Sequence, residues 1–178
     1  FLHFAPYAVH TPIMPNPKYN EKYEGIDKRE AAYATMVESV DASLGSVLDT
    51  LQELGIADNT IVIFTSDNGG LSAHARGGEK HTHNKPLRSG KGSAYEGGIR
   101  VPLIVQDLDK KSSVNTENVI SHDLFPTILQ YAGIDAPDNH VIDGIALEDV
   151  HGDRVIGWHQ PHQWGAAGPG IEPFTAIR

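Results

Sequence analysis

The chain has 178 residues, with 23 Asp and Glu against 14 Lys and Arg, a net charge of −9 with His neutral. That acidic balance argues against a generic binder of nucleic acid or anionic membrane, because phosphate attracts a basic face. The lack of any Cys excludes disulfides, thiolate zinc sites and a cysteine nucleophile within these residues.

At 39% apolar and 21% charged residues, the composition is that of a globular chain of single-domain length. No apolar run approaches the about 20 residues that a membrane-spanning helix needs. Phe1 to Val9 is apolar and aromatic and predicts a buried strand, broken by Pro6. A Pro- and Asn-rich loop follows to about Gly25. Asp27 with Glu30 three residues later starts a helix in the manner of a capping box. Apolar residues then recur at helical spacing at Tyr33, Met36, Val37, Val40, Leu44, Val47, Leu48, Leu51 and Leu54. Gly55 is the expected stop, since glycine takes the left-handed conformation at little cost. Thr60 to Ser66 is a continuous β-branched run, the pattern of a strand covered on both faces in a parallel sheet.

From Asp67 to Gly98 the chain is rich in Gly, His, Lys and Ser without periodicity. A loop of about 30 residues in a compact domain is uncommon unless it is functional or disordered. Ile99 to Val105 predicts another strand, and Ser121 to Ala132 a second helix stopped by Gly133. Leu124, Phe125, Ile128, Leu129 and Ala132 form its apolar side. Ile156 to His159 predicts a further strand, and the tail after Gln160 is loop-like. The alternation gives an α/β class with a mostly parallel sheet sandwiched by helices.

Ligands of open parallel α/β sheets bind beyond the carboxyl ends of the strands. His10 ends the first predicted strand, and Ser66-Asp67-Asn68-Gly69-Gly70 ends the buried one. Asp67 and Asn68 offer hard oxygens suited to Ca²⁺ or Mg²⁺; an Asx turn closing a strand explains the same residues equally well. Lys91 lies between Gly90 and Gly92, where it could act as a point charge on a tetrahedral oxyanion, or be a solvated loop lysine. The P-loop spacing fails because Gly92, not Ser or Thr, follows it. His10 could equally donate to a carbonyl at a strand end. His74, His81 and His83 lack matching carboxylates and stay unassigned. No Ser has an obvious activating base, and the G-x-S-x-G elbow is absent.

The ordered stretches TIVIFTSDNGG (60–70), NKPLRSGKG (84–92) and YEGGIRVP (95–102) closely resemble the sulfatases, formylglycine-dependent sulfuric-ester hydrolases of the alkaline phosphatase superfamily. The likeness extends to Val9–Pro12, to Val40-Asp41 and Gly45, to DLFPT (123–127), Gly133 and Asp143-Gly144, and to WHQPH (158–162). It implies Asp67 and Asn68 as one pair of ligands around Ca²⁺, with Mg²⁺ as the alternative. It implies Lys91 on the sulfate group, His10 beside the sulfate and leaving oxygen, and His162 lining the substrate pocket. Glu96 and Arg100 are expected in a structural ion-pair or loop-holding role.

The family's C/S-x-P-S/A-R motif, source of the formylglycine nucleophile, does not occur here. The resemblance therefore implies a central-to-C-terminal piece, residues 1–178 of a catalytic domain, with the tail 160–178 leading towards a small C-terminal subdomain. The expected partners are a small-molecule or carbohydrate sulfate ester and the remainder of the same fold, with no nucleic acid and no membrane. Alone, the piece is expected to be inactive. Family relatives point to a periplasmic or secreted protein. The rival readings are a phosphate or phosphonate monoester hydrolase of the same superfamily, and a non-catalytic metal-binding or structural domain if the chain is complete.

Overall fold

The computed structural model describes residues 1–72, 79–107, 110–164 and 168–178. The chain forms two compact units, Phe1–Lys110 with Pro161–Phe174, and Lys111–Gln160 with Thr175–Arg178. No described helix is long and apolar enough to cross a membrane.

In the first unit, helix α1 spans Lys28–Glu53. Its start follows the sequence expectation: Asp27 Oδ1 accepts from the N–H groups of Arg29 and Glu30, at 3.0 and 3.1 Å. Gly55, at φ 66, follows the C-terminal turn. The apolar stripe is not uniformly covered. Ala32, Tyr33, Thr35 and Met36 are buried, Val37 faces out, and the positions from Val40 to Leu51 are half-buried. The Pro-rich segment is fastened to the buried part by polar bonds. Asn16 N donates to Thr35 Oγ1 at 2.9 Å, and Asn16 Nδ2 to Ser39 Oγ at 2.8 Å. The 3-10 turn Pro17–Tyr23 adds Tyr23 Oη and Lys22 Nζ, both on the carboxylate of Glu38, at 2.8 and 2.7 Å. That contact draws Glu38 below the usual carboxylate range, chiefly through the Lys22 hydrogen bond and then the Tyr23 one.

Strand β1 (Val62–Thr65) pairs with β2 (Leu103–Gln106), and the short helix α2 (Glu96–Ile99) precedes β2. Two expected strands are corrected here, and the described ladder does not run parallel. The β1–β2 ladder is antiparallel, with Val62 opposite Gln106 and Thr65 opposite Leu103, so no parallel pair is present among the described residues. A β-branched run reports how a strand is covered, not the direction of its neighbour. The strand expected at Ile99 begins only at Leu103, because Ile99 closes a helical turn in which Arg100 N bonds Glu96 O. Phe1–Val9 is no strand: its first seven residues are exposed, with no ladder partner among the described residues. An apolar run becomes a strand only where another strand takes up its N–H and C=O groups.

The long segment after β1 is organised by glycine. A Cβ on Gly69 would lie 1.8 Å from Gly97 O, and one on Gly90 would lie 2.4 Å from Gly70 O. Three backbone segments thus approach to distances that any side chain would forbid. Gly69 N donates to Gly98 O (2.9 Å), Lys91 N to Gly70 O (3.1 Å) and Gly97 N to Arg88 O (3.0 Å).

In the second unit, a 3-10 turn Ser121–Asp123 leads into helix α3, Leu124–Ala132, capped by Gly133 at φ 62. The expected apolar face is not the most buried one. Asp123 and Thr127 are fully buried, whereas Phe125 is exposed. The reason is a saturated carboxylate. Asp123 accepts both Arg154 Nη1 (2.6 Å) and Nη2 (2.9 Å), and also the N–H groups of Ile120 (2.8 Å) and Ile145 (2.9 Å). Gly144 lets this strap close, since a Cβ there would lie 2.1 Å from His122 O. Strand β3 (Gly157–Gln160) covers most of the expected strand. It pairs with β4 (Phe174–Ile177), which falls in the tail expected to be loop. Ile156 and Arg178 exchange both backbone bonds at 2.9 Å, an antiparallel pattern.

Burial alone pushes the Asp123 carboxyl up, but Arg154 and the two N–H groups more than offset it and hold it below the usual range. A depressed folded value contributes stability that is present above the unfolded pKa, near about 4, and lost as pH falls through the folded value. Asp123→Asn in the intact protein should cost about 3–5 kcal/mol at neutral pH by leaving Arg154 unpaired. It should also flatten the loss of stability on acidification, with urea unfolding across pH as the measurement. Gly69→Ala, with no room at Gly97 O, should abolish the cooperative thermal transition or lower its midpoint by several degrees, read by calorimetry.

Candidate functional site

Asp67 and Asn68 follow β1 directly, where the ladder ends at Thr65. Thr65 Oγ1 donates to Pro102 O at 3.0 Å, and Ser66 Oγ to Asn68 O at 2.9 Å, which folds the chain back on itself. The two side chains converge: Asn68 Nδ2 donates to Asp67 Oδ1. Asp67 is exposed and Asn68 half-buried. Turning the Asn68 amide over would present its oxygen and the carboxylate together.

That donor chemistry fits one side of a hard-cation shell, of which Ca²⁺ takes six to eight oxygens. Among the described residues no group of three or more His, Cys, Asp or Glu stands together as a metal cluster. Two donors are fewer than such a shell takes.

Lys91 is brought to this corner through its backbone. Gly70 O, two residues past Asn68, accepts Lys91 N at 3.1 Å and also Asn84 Nδ2 at 2.9 Å. The second hydrogen of that amide goes to Ser89 O, at 3.0 Å. Ser89 is fully buried at φ 62, with Oγ on Pro169 O at 3.1 Å. Lys91 itself is half-buried, and its ammonium has no ion-pair partner among the described residues. The Trp164 indole packs on Gly92, whose added Cβ would lie 2.4 Å from the ring. The Arg88 guanidinium stacks over Tyr95, 3.9 Å from the ring centroid.

The remaining expected residues stand apart from this corner. His10 is exposed, and its Nδ1 contacts Tyr7 Oη (3.2 Å) and Thr11 O (3.0 Å) within its own turn. None of the described contacts joins His10 to Asp67, Asn68 or Lys91. The strand expected to deliver it is not formed, so the residue is carried by a turn. An open groove of about 360 Å³ near that turn is lined by Thr11, Pro12, Ile13, Pro15, Lys28, Arg29 and Ala32, and borders none of the three. His162 is exposed in the segment after β3. Glu96 and Arg100 form the expected ion pair at 3.1 Å, on the surface, where such a pair contributes little.

The unassigned histidines have structural surroundings. His83 Nε2 lies 3.0 Å from Glu30 Oε1 on α1, and His81 lies against Gly168. His74 lies outside the described residues. Sequence reasoning gave no role to Asn84 or Trp164. The glycines around Lys91 were the available signal, since a bare backbone implies something packed close upon it.

The chain is similar to known proteins over most of its length. The family described as Sulfatase matches residues 1–134. A sulfatase of Formosa agariphila is 38% identical over 169 residues, covering 84% of this chain and 29% of that protein. The human N-acetylgalactosamine-6-sulfatase is 35% identical over 186 residues, covering 92% and 34%. The mouse steryl-sulfatase is 38% identical over 168 residues, covering 90% and 25%. The chain therefore spans about a third or less of the length of these curated relatives.

Among solved structures, Ps i-CgsB in complex with k-i-k-neocarrahexaose superposes with a TM-score of 0.68 at 33% identity, covering 78% of this chain and 30% of that one. The PsFucS1 sulfatase from Pseudoalteromonas sp. gives 0.68 at 30% identity, covering 96% and 33%. The family match over residues 1–134 includes the strand-end and glycine segments just described, and by these comparisons the chain belongs to the sulfatase family.

Proposed function

We propose that this chain carries the cation-and-lysine side of a sulfate-ester hydrolase site, acting within the intact protein on an aryl or carbohydrate sulfate monoester. The observation that carries the reading is the Lys91 N to Gly70 O bond, which fixes the lysine's turn two residues from Asn68. A single backbone bond thus couples a positive side chain to a pair of hard oxygen donors, the combination a doubly charged tetrahedral ester needs.

The net reaction adds water across the sulfate ester, giving an alcohol or phenol and sulfate. Asp67 and Asn68 would hold Ca²⁺, or Mg²⁺, as part of a larger ligand set; that ion would neutralise charge on the sulfate oxygens. The Lys91 ammonium binds a sulfate oxygen and stabilises the charge that grows there as the bond to the leaving oxygen breaks. His10, in the reading carried over from the family, donates a hydrogen bond or proton to the leaving oxygen. His162 would line the substrate pocket. The formylglycine nucleophile belongs to the family's C/S-x-P-S/A-R motif and lies outside these residues. The mostly parallel sheet of the family is likewise proposed for the whole domain, 1–178 forming part of it.

Relatives named for N-acetylgalactosamine-6-sulfate and steryl sulfate favour a sulfate over a phosphate monoester. An aryl sulfate and an aryl phosphate assayed side by side on the intact protein decide between them. Faster turnover of the phosphate would overturn the sulfatase reading. Lys91→Ala should lower kcat/KM for the aryl sulfate by at least about tenfold, the loss of one charged contact in the transition state. Near-normal kinetics would remove Lys91 from the site. Chelation should lower activity and Ca²⁺ restore it, while Asp67→Ala should weaken Ca²⁺ binding, by about tenfold or more, in a calorimetric titration.

A further inference from the structure

We propose that Asn84 is a positioning residue of this site, its side-chain amide setting the spacing between the turn of Asp67 and Asn68 and the turn of Lys91. The inference rests on the sulfatase reading of that corner. An amide nitrogen has two hydrogens, and Asn84 spends one on each turn: Gly70 O at 2.9 Å and Ser89 O at 3.0 Å. Gly70 O has two lone pairs, and Lys91 N takes the other at 3.1 Å. The same carbonyl therefore receives the lysine's backbone and the amide that holds the two turns together.

The cradle around the amide is shaped to it. A Cβ on Gly70 would lie 2.6 Å from Asn84 Oδ1, and one on Gly90 would lie 2.6 Å from Asn84 Nδ2. Both glycines are needed for the amide to enter between the turns. The preceding residue is anchored independently. His83 is 8% exposed in its side chain, with Nε2 3.0 Å from Glu30 Oε1 in the first turn of α1. Asn84 is thus held from the helix and in turn holds the loop. Displacing a reacting or charge-stabilising group by about 1 Å can cost on the order of a hundredfold in rate, so a group that fixes spacing without touching substrate still governs kcat.

Asn84→Asp keeps the shape but replaces two donors by a carboxylate facing two carbonyl oxygens. In the intact protein with an aryl sulfate, kcat should fall at least about tenfold with KM changed less than about threefold. Amide hydrogen exchange at Lys91 should quicken, because its bond to Gly70 O loses its companion. On a Lys91→Ala background the cost of Asn84→Asp should vanish, since the amide acts through the lysine. Should Asn84→Asp fail to fold, Asn84→Ser is carried through the same comparison. If Lys91→Ala leaves activity intact, the reading of the site itself fails. If Lys91→Ala is impaired yet the Asn84 variant keeps wild-type kcat, keeps Lys91 exchange unchanged, or multiplies fully with Lys91→Ala, the positioning role is overturned.

Discussion

The first unit depends on backbone approaching backbone without side chains between. At Gly69 and Gly97 the chains meet so closely that a single methyl would sit 1.8 Å from a carbonyl oxygen. Such contact lets N–H and C=O groups of two turns and the short helix α2 satisfy one another outside any strand ladder. Much of the candidate site's layout follows from this. The strand end with Asp67 and Asn68, the lysine turn and the α2 segment are joined by main-chain bonds to Gly70, Gly98 and Arg88. A loop built in this way has its main-chain groups paired although it is irregular.

Two aspartates in this chain show how environment divides structure from chemistry. Asp123 is fully buried, and its oxygens accept four hydrogen bonds, two from Arg154 and two from backbone. With its lone pairs so committed, it holds α3 and the 144–154 segment together. Asp67 is exposed, and its described hydrogen bond comes from Asn68 alone. Lone pairs left open towards solvent are what a metal ligand offers. Both residues stand in stretches that resemble the family.

The sequence by itself determined those elements whose cause is local. Helix α1 with its Asp27 cap, the Gly133 stop of α3 and the strand at Val62–Thr65 were readable because periodicity, caps and β-branched runs act over a few residues. The candidate residues Asp67, Asn68 and Lys91 were readable as words of a family, with glycines marking tight turns. Tertiary structure alone decided which words meet. That Lys91 N bonds Gly70 O, that Asn84 clasps both turns and that Glu30 faces His83 depend on contacts between residues far apart in sequence. Periodicity carries no record of such pairs. The same reason explains the misses: Phe1–Val9 is apolar enough for a strand, β1 meets an antiparallel neighbour, and β4 lies in a tail without a strand signal. A strand is defined by a partner, and the choice of partner is made by the fold and not by the segment.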